Sequence, residues 1–298
     1  MRAQPSRIVG RAMVKAPGTC GELVQGFLDG SHFLVTCPVD LYSTVSVVLY
    51  RGQPGVLGPE DCPKAIQAVC STLAYLGKGD LTAELTIHSP LPRGKGMASS
   101  TADVAGAAAA TALALGIDLT PRELGALAVA VEPSDGVMFP GIALFDHRQG
   151  EVYEGLGLPP AMEVIVLDFG GVVDTLEFNR VDRQQALASL EPQFREALGL
   201  VCRGIASGSP SLIGQGATLS ALAHQAVLPK AQLSTVMELA RSLGALGVNA
   251  AHSGTVVGLL LDPRSTPARE VLPRVLKVLP SLESAFCLHL IGGGIQMG

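Results

Sequence analysis

The densest chemistry in the chain lies in ten consecutive residues, Pro92-Arg93-Gly94-Lys95-Gly96-Met97-Ala98-Ser99-Ser100-Thr101. Glycine at 94 and 96 permits positive φ and a close approach of backbone to ligand. The loop follows an alternating apolar/polar run, Leu81–Ile87, which predicts a half-buried strand. It leads into an Ala-rich helix predicted over Thr101–Leu115 and stopped by Gly116. A loop that opens into a helix offers free N–H groups and a positive dipole end to an anion. Ser99 and Ser100 add hydroxyls for phosphate or Mg2+. The run is neither G-x-x-x-x-G-K-[ST] nor a dinucleotide-binding G-x-G-x-x-G. A second reading needs no ligand, because Ser100 with Asp103 has the spacing of an N-cap with a carboxylate at the third helical position. Two glycines, a lysine and a serine pair exceed what a cap requires, and the phosphate reading is favoured.

Further along, Glu132-Pro133-Ser134-Asp135-Gly136 provides the best carboxylate pair. Phosphoryl transfer needs positioning, charge neutralisation and a carboxylate to accept an alcohol proton. The same residues also make an ordinary solvated β-turn. His252 stands beside an expected strand, where a lone histidine is more often structural than functional.

These residues need a scaffold, and the rest of the chain supplies one. With 298 residues, 48% hydrophobic and 16% charged, the chain is a folded globular protein with ample core. Short strands are expected at Ile8–Val14, Phe33–Thr36 and Thr44–Tyr50, and a helix over Pro63–Leu76. In the reading that needs no ligand, Ala16–Gly26 is a Gly-rich turn between strands with Glu22 exposed. Thr120-Pro121-Arg122-Glu123 is a capping box with proline at the first helical position, starting a helix that runs to about Val131. After the Gly/Pro-rich stretch Gly155–Pro160 the pattern resumes. It gives a strand at Glu163–Asp168, a long helix over about Arg183–Ile205, and helices near Thr218–Val227 and Leu233–Leu246. A strand at Thr255–Leu261, a helix over Pro267–Val278 and a strand at Ala285–Ile291 complete it. The irregular mixing of strands and helices favours an α+β architecture with a domain boundary near residue 158.

Charge and cysteine usage narrow the function classes. A net charge of −5 without any Lys/Arg run argues against nucleic acid as a partner. No stretch approaches the ~20 apolar residues of a membrane span, and Met1–Arg7 lacks the apolar core of a signal peptide. Six scattered cysteines without a C-x-x-C pair fit the reduced thiols of a cytoplasmic enzyme.

The loop resembles the phosphate-binding motif of the GHMP kinases (galactokinase, homoserine kinase, mevalonate kinase, phosphomevalonate kinase), Pro-x-x-x-Gly-Leu-x-Ser-Ser-Ala. Met97 and Thr101 replace its leucine and alanine. Within that superfamily the chain is similar to the L-threonine kinases of adenosylcobalamin synthesis. The stretches that carry the similarity are Ala16–Gly26, Cys37-Pro38-Val39 with Tyr42-Ser43-Thr44, and Lys95–Asp103. Glu132–Asp135 with Leu144-Phe145-Asp146-His147, and Asn249–Gly254, complete the set.

That resemblance implies the two-domain GHMP kinase fold. An N-terminal domain like domain 2 of ribosomal protein S5 would span residues 1–158, and a ferredoxin-like C-terminal domain residues 159–298. It implies Mg2+ and ATP as cofactors, L-threonine as the small-molecule substrate and O-phospho-L-threonine as product, and it leaves a homodimer open. Residues 92–101 would cradle the nucleotide phosphates. Ser100 and Glu132 would ligate Mg2+, and Asp135 would be the base. The family's usual Pro-Ser-Gly-x-Asp order is here Pro-Ser-Asp-Gly, which moves the aspartate by two positions. Glu22 and Gln25 would face the ammonium and carboxylate of the acceptor. Asp103 is a second candidate for the amine, and His252-Ser253 occupy the place of the family's third motif. Another GHMP kinase, such as a homoserine kinase, and a non-catalytic ligand-binding protein of this fold are the competing readings.

Overall fold

The computed structural model describes residues 7–173, 181 and 183–298. Two long strands, β1 (Ile8–Leu28) and β2 (Ser31–Arg51), form its backbone as an antiparallel hairpin. Their turn uses Asp29 and Gly30, both at positive φ (49° and 87°), the twist that a two-residue hairpin connection needs. The Ala16–Gly26 stretch is strand throughout, which corrects the expected turn. Its glycines and polar residues instead mark register shifts on both sides of Glu22, between Thr19 and Glu22 and between Glu22 and Val24. Bulges of this kind re-aim a side chain without ending the strand.

Around the hairpin the chain adds β3 (Gly55–Leu57), α1 (Pro63–Tyr75), β4 (Leu81–His88), α2 (Ser99–Ala114) and α3 (Pro121–Val131). Then come β5 (Ile142–Phe145), β6 (Tyr153–Gly157), β7 (Glu163–Asp168), α4 (Gln184–Ser189), α5 (Glu191–Ser207), α6 (Pro210–His224) and α7 (Leu233–Leu243). The last elements are β8 (Gly247–Ala250), β9 (Val257–Leu261), α8 (Ala268–Val278), β10 (Ser284–His289) and β11 (Gln296–Met297). The strands join one sheet in the order β10-β7-β9-β8-β1-β2-β4-β3, with β5 and β6 branching from β2 and β11 from β1.

Two expected elements shift for local reasons. The long helix of the second half breaks at Leu190 into α4 and α5, where Pro192 takes an early position of the new helix and lacks the N–H to continue the old one. The helix expected at Thr218 starts eight residues earlier, at Pro210. Strands β5 and β8 escaped the sequence because both are buried on nearly every residue and show no alternation.

Helix α2 packs between sheet and helices and is buried on almost all sides. Alanines suit that position, and at Gly106 an added Cβ would lie 2.7 Å from Val45 Cγ2. A second core mixes Leu23, Phe33 and Val35 of the hairpin with Val164, Phe194 and Ile213 of the second half. This shared core fixes the two halves around the loop before α2.

Candidate active site

The loop between β4 and α2 is held by its carbonyls. Those of Gly94, Lys95, Gly96 and Met97 accept from Val173, from Thr255 and Val256, from Gly21 and from Thr19, all at 2.9–3.1 Å. With the carbonyls turned into the scaffold, positive φ at Gly94 (69°), Gly96 (85°) and Ala98 (55°) shapes the rest of the loop. Only glycine fits at two contacts. A Cβ on Gly96 would sit 2.3 Å from Ala251 Cβ, and one on Gly254 would sit 2.2 Å from Gly96 N.

Helix α2 begins at Ser99 with no side chain capping it, after Ala98 in the left-handed conformation. The expected Ser100–Asp103 cap is therefore absent, and both side chains are used elsewhere. Asp103 accepts a 2.6 Å hydrogen bond from Ser43, and burial raises its carboxyl above the usual range against that bond. Ser100 Oγ donates to Glu132 Oε1. The other oxygen of Glu132 takes the ammonium of Lys64 at 2.5 Å. The first turn of α2 thus leaves its N–H groups uncapped by its own side chains.

The turn after α3 is pinned to the same helix end. Asp135 N donates to Thr101 Oγ1 at 3.2 Å, and that hydroxyl donates to Asp135 Oδ2 at 3.4 Å. Ser134 Oγ donates to the Glu132 carbonyl, and Ser134 N to the His147 carbonyl, both at 2.9 Å. From the hairpin, Glu22 brings its carboxyl against Asp135, while its buried Oε2 meets no donor of the protein. Two carboxylates touch stably only through a shared proton. Burial pushes Asp135 up to about 6, and the charge of Glu132 adds to the shift. Hydrogen bonds with Glu22 and Thr101 oppose it. Burial, then the charge of Asp135, holds Glu22 well above the carboxylate range. With both carboxyls raised, the two share a proton and Asp135 is the more acidic partner.

Two cavities meet here. The smaller, about 80 Å3, is lined by Glu22, Asp135, Glu132, His147, His252 and Ser253 together with loop residues 94 and 96–101. The larger, about 340 Å3, is lined by Asp61, Cys62, Lys64, Arg93 and Asp103 among others. Gly94, Ser99, Ser100 and Glu132 form the wall common to both.

Several sequence candidates stand apart from this wall. Gln25 lies one layer behind, its amide nitrogen on the Ala250 carbonyl and its oxygen on His252 Nδ1 (3.0 and 2.9 Å). His252 stacks with His224 and meets His147 edge-on, and burial holds it well below its ordinary value, so it is neutral. Lys95 turns from the phosphate side to Asp168 and Glu283, each at 2.9 Å. Arg93 pairs with Asp61 at 2.8 Å, and both line the larger cavity. Lys64 and His147 are the additions that the structure makes. His147 lies in a stretch that the sequence marks, whereas nothing local distinguishes Lys64, 68 residues from its partner.

The arrangement fits a hard divalent cation. Glu132 and Ser100 are oxygen donors of the right kind, side by side at the cavity wall. No group of three or more His, Cys, Asp or Glu residues suited to a metal occurs among the described residues. No helix among the described residues is long and apolar enough to cross a membrane.

Comparison with known proteins follows the same line. Residues 64–140 match the family described as GHMP kinases N terminal domain. The chain is 37% identical to L-threonine kinase of Salmonella typhimurium over the whole of both chains. It is 36% identical to L-threonine kinase of Citrobacter freundii, over 84% of this chain and 86% of that one. Among solved structures, homoserine kinase from Cytophaga hutchinsonii superposes over the full length of both chains with a TM-score of 0.73 at 18% identity. With a full-length relative at that identity and the fold shared throughout, the chain belongs to the GHMP kinases, ATP-dependent kinases of small molecules.

Proposed function

We propose that this enzyme transfers the γ-phosphoryl group of Mg-ATP to the side-chain hydroxyl of L-threonine, giving O-phospho-L-threonine for the aminopropanol linker of adenosylcobalamin. The observation that carries the reading is the shared wall of the two cavities, where the open end of α2, Ser100 and Glu132 stand beside Asp135. The larger cavity, with Lys64 and Arg93, suits the nucleotide. The smaller, with the Glu22–Asp135 pair, suits an acceptor that carries an ammonium group. The likeness to the Salmonella and Citrobacter enzymes supports threonine as that acceptor.

Each side chain then has one task. The N–H groups at the start of α2 and in the loop hold phosphate oxygens. Ser100 and Glu132 would hold Mg2+, which when bound would supply positive charge to offset that of the transferring group. Ionised Asp135 accepts the hydroxyl proton as the acceptor oxygen bonds to phosphorus and the bond to the ADP oxygen breaks. The Glu22–Asp135 pair, with one proton between two carboxylates, keeps a net negative charge that attracts the substrate ammonium. Glu22 Oε2, buried without a donor, is ready to accept from that ammonium. His252 and Ser253 close the far side, with His252 held by Gln25.

We divide the chain into nucleotide-binding residues 1–158 and C-terminal residues 159–298. A cytoplasmic location is in keeping with six free cysteines. The test is ADP release with Mg-ATP and a panel of L-threonine, L-serine, L-homoserine and mevalonate. Turnover with L-threonine above the others is expected. Turnover with homoserine but not threonine sinks the assignment of the acceptor, and silence across the panel points to a binding protein.

A further inference from the structure

Glu132 sets a charge problem. Its side chain is 3% exposed, and it shares the smaller cavity with the carboxyls of Asp135 and Glu22. A buried carboxylate in such company needs a counter-charge at all times. Among the described residues Lys64 is the cation that pairs with it, at 2.5 Å on Oε2, with Ser100 on Oε1. The ammonium comes from the first turn of α1 on a side chain that is 37% exposed, and makes no other ion pair among the described residues. The same side chain lines the larger cavity beside Arg93. Lysine is a long, flexible point charge, suited to moving between anions, where a bidentate arginine would be fixed.

The reading of Ser100 and Glu132 as metal ligands, on which this inference rests, brings a second cation to the oxygens that Lys64 and Ser100 now occupy. A divalent ion at ligand distance and an ammonium at 2.5 Å repel each other strongly on one carboxylate. We propose that Lys64 is a tethered counter-ion, which neutralises Glu132 in the metal-free enzyme and yields it to the metal, its ammonium passing to the phosphate oxygens of the nucleotide. The buried carboxylate is then never left uncompensated, and the cation displaced from it is used again at the phosphates. The metal competes poorly for Glu132 until a nucleotide offers Lys64 another anion, so metal and nucleotide bind together. Lys64 acts here as a positioning residue and takes no part in proton transfer.

The test reads binding, with the full chain and no acceptor. Mn2+, standing in for Mg2+, is titrated into nucleotide-free protein by the electron paramagnetic resonance of the free ion. A non-hydrolysable ATP analogue is titrated calorimetrically in EDTA. In Lys64→Met the Mn2+ affinity should rise about tenfold and the affinity for metal-free analogue should fall about tenfold, while Lys64→Arg keeps the nucleotide affinity within about threefold. Unchanged or weakened Mn2+ binding in a Lys64→Met protein with a native melting transition overturns the counter-ion role. Unchanged analogue binding overturns the passage to phosphate. Glu132→Gln separates the two layers. Loss of Mn2+ binding there upholds Glu132 as a ligand whatever Lys64 does, and wild-type Mn2+ binding overturns that reading and with it this inference.

Discussion

Helices α2 and α3 follow one another in the chain, and their sequences start alike, with Ser100-x-x-Asp103 and Thr120-x-x-Glu123. Their structures start in opposite ways. At α3, Thr120 Oγ1 accepts from Glu123 N at 3.3 Å and Glu123 Oε2 accepts from Thr120 N at 2.8 Å, so the end is closed by its own residues. At α2, the residue before the helix is Ala98 in a left-handed conformation, Ser100 has gone to Glu132 and Asp103 to Ser43. One end uses its hydroxyl and carboxylate to hold itself together. The other spends them on distant partners and leaves its first-turn amides without a side-chain cap. A capping motif in sequence therefore reports stability at one helix and chemistry at the next, depending on what the fold brings near.

Asp135→Asn tests the open end with the largest expected effect. Loss of the base should lower kcat by about 10²-fold or more, with ATP affinity nearly unchanged, read by steady-state kinetics and nucleotide titration. In the native enzyme kcat/KM should fall as pH drops through about 6, the value at which Asp135 takes up its proton. The same shift has a sign for stability. The folded carboxyl is raised from 3.8 to about 6, so its contribution favours folding below 3.8 and is lost as pH rises to about 6. At pH 8 the Asn variant should therefore melt no lower than wild type, and a drop of several degrees would count against the strain assigned to Asp135.

Ser100→Ala comes next. It should reduce kcat/KM for Mg-ATP about 10- to 100-fold while changing stability by less than about 1 kcal/mol, since this hydroxyl caps nothing. The reverse outcome, normal kinetics with a lowered Tm, would return Ser100 to a capping role.

Thr120→Ala addresses the closed end. Its loss should cost about 1 kcal/mol, or roughly 3 °C in Tm, and leave turnover untouched. Equal kinetic damage at Thr120 and Ser100 would erase the distinction between the two helices. Smallest of all, Ala98→Gly removes a side chain from a φ of 55°. Relief of strain and the added freedom of the unfolded chain nearly cancel, so Tm should move by about 3 °C at most.

Much of this was legible beforehand because it is local. The Thr120–Glu123 box, the strand at Leu81, the helix at Pro63 and the glycine loop each rest on residues a few positions apart. The site was legible in composition but not in arrangement. Glu22 sits within a long strand, and it reaches the cavity from flanking register shifts that no turn signal announces. Gln25 looks equivalent to Glu22 in sequence, yet the pleat and the loop after β8 turn it inward to Ala250 and His252. Lys95 looks like a phosphate-binding lysine, until Asp168 and Glu283 arrive beside it from the other half of the chain.

By itself the sequence determined an α+β fold with a glycine loop opening into a helix, because turn chemistry, periodicity and capping act over a few residues, and the resemblance of its motifs to the GHMP kinases added the activity. The tertiary structure alone decided which charges face one another. Glu132 meets Lys64 and Ser100, and Asp135 meets Glu22, across separations that no local rule spans. Coulomb and burial energies depend on distance in space and on exclusion of water, and both exist only once the chain has closed around the site.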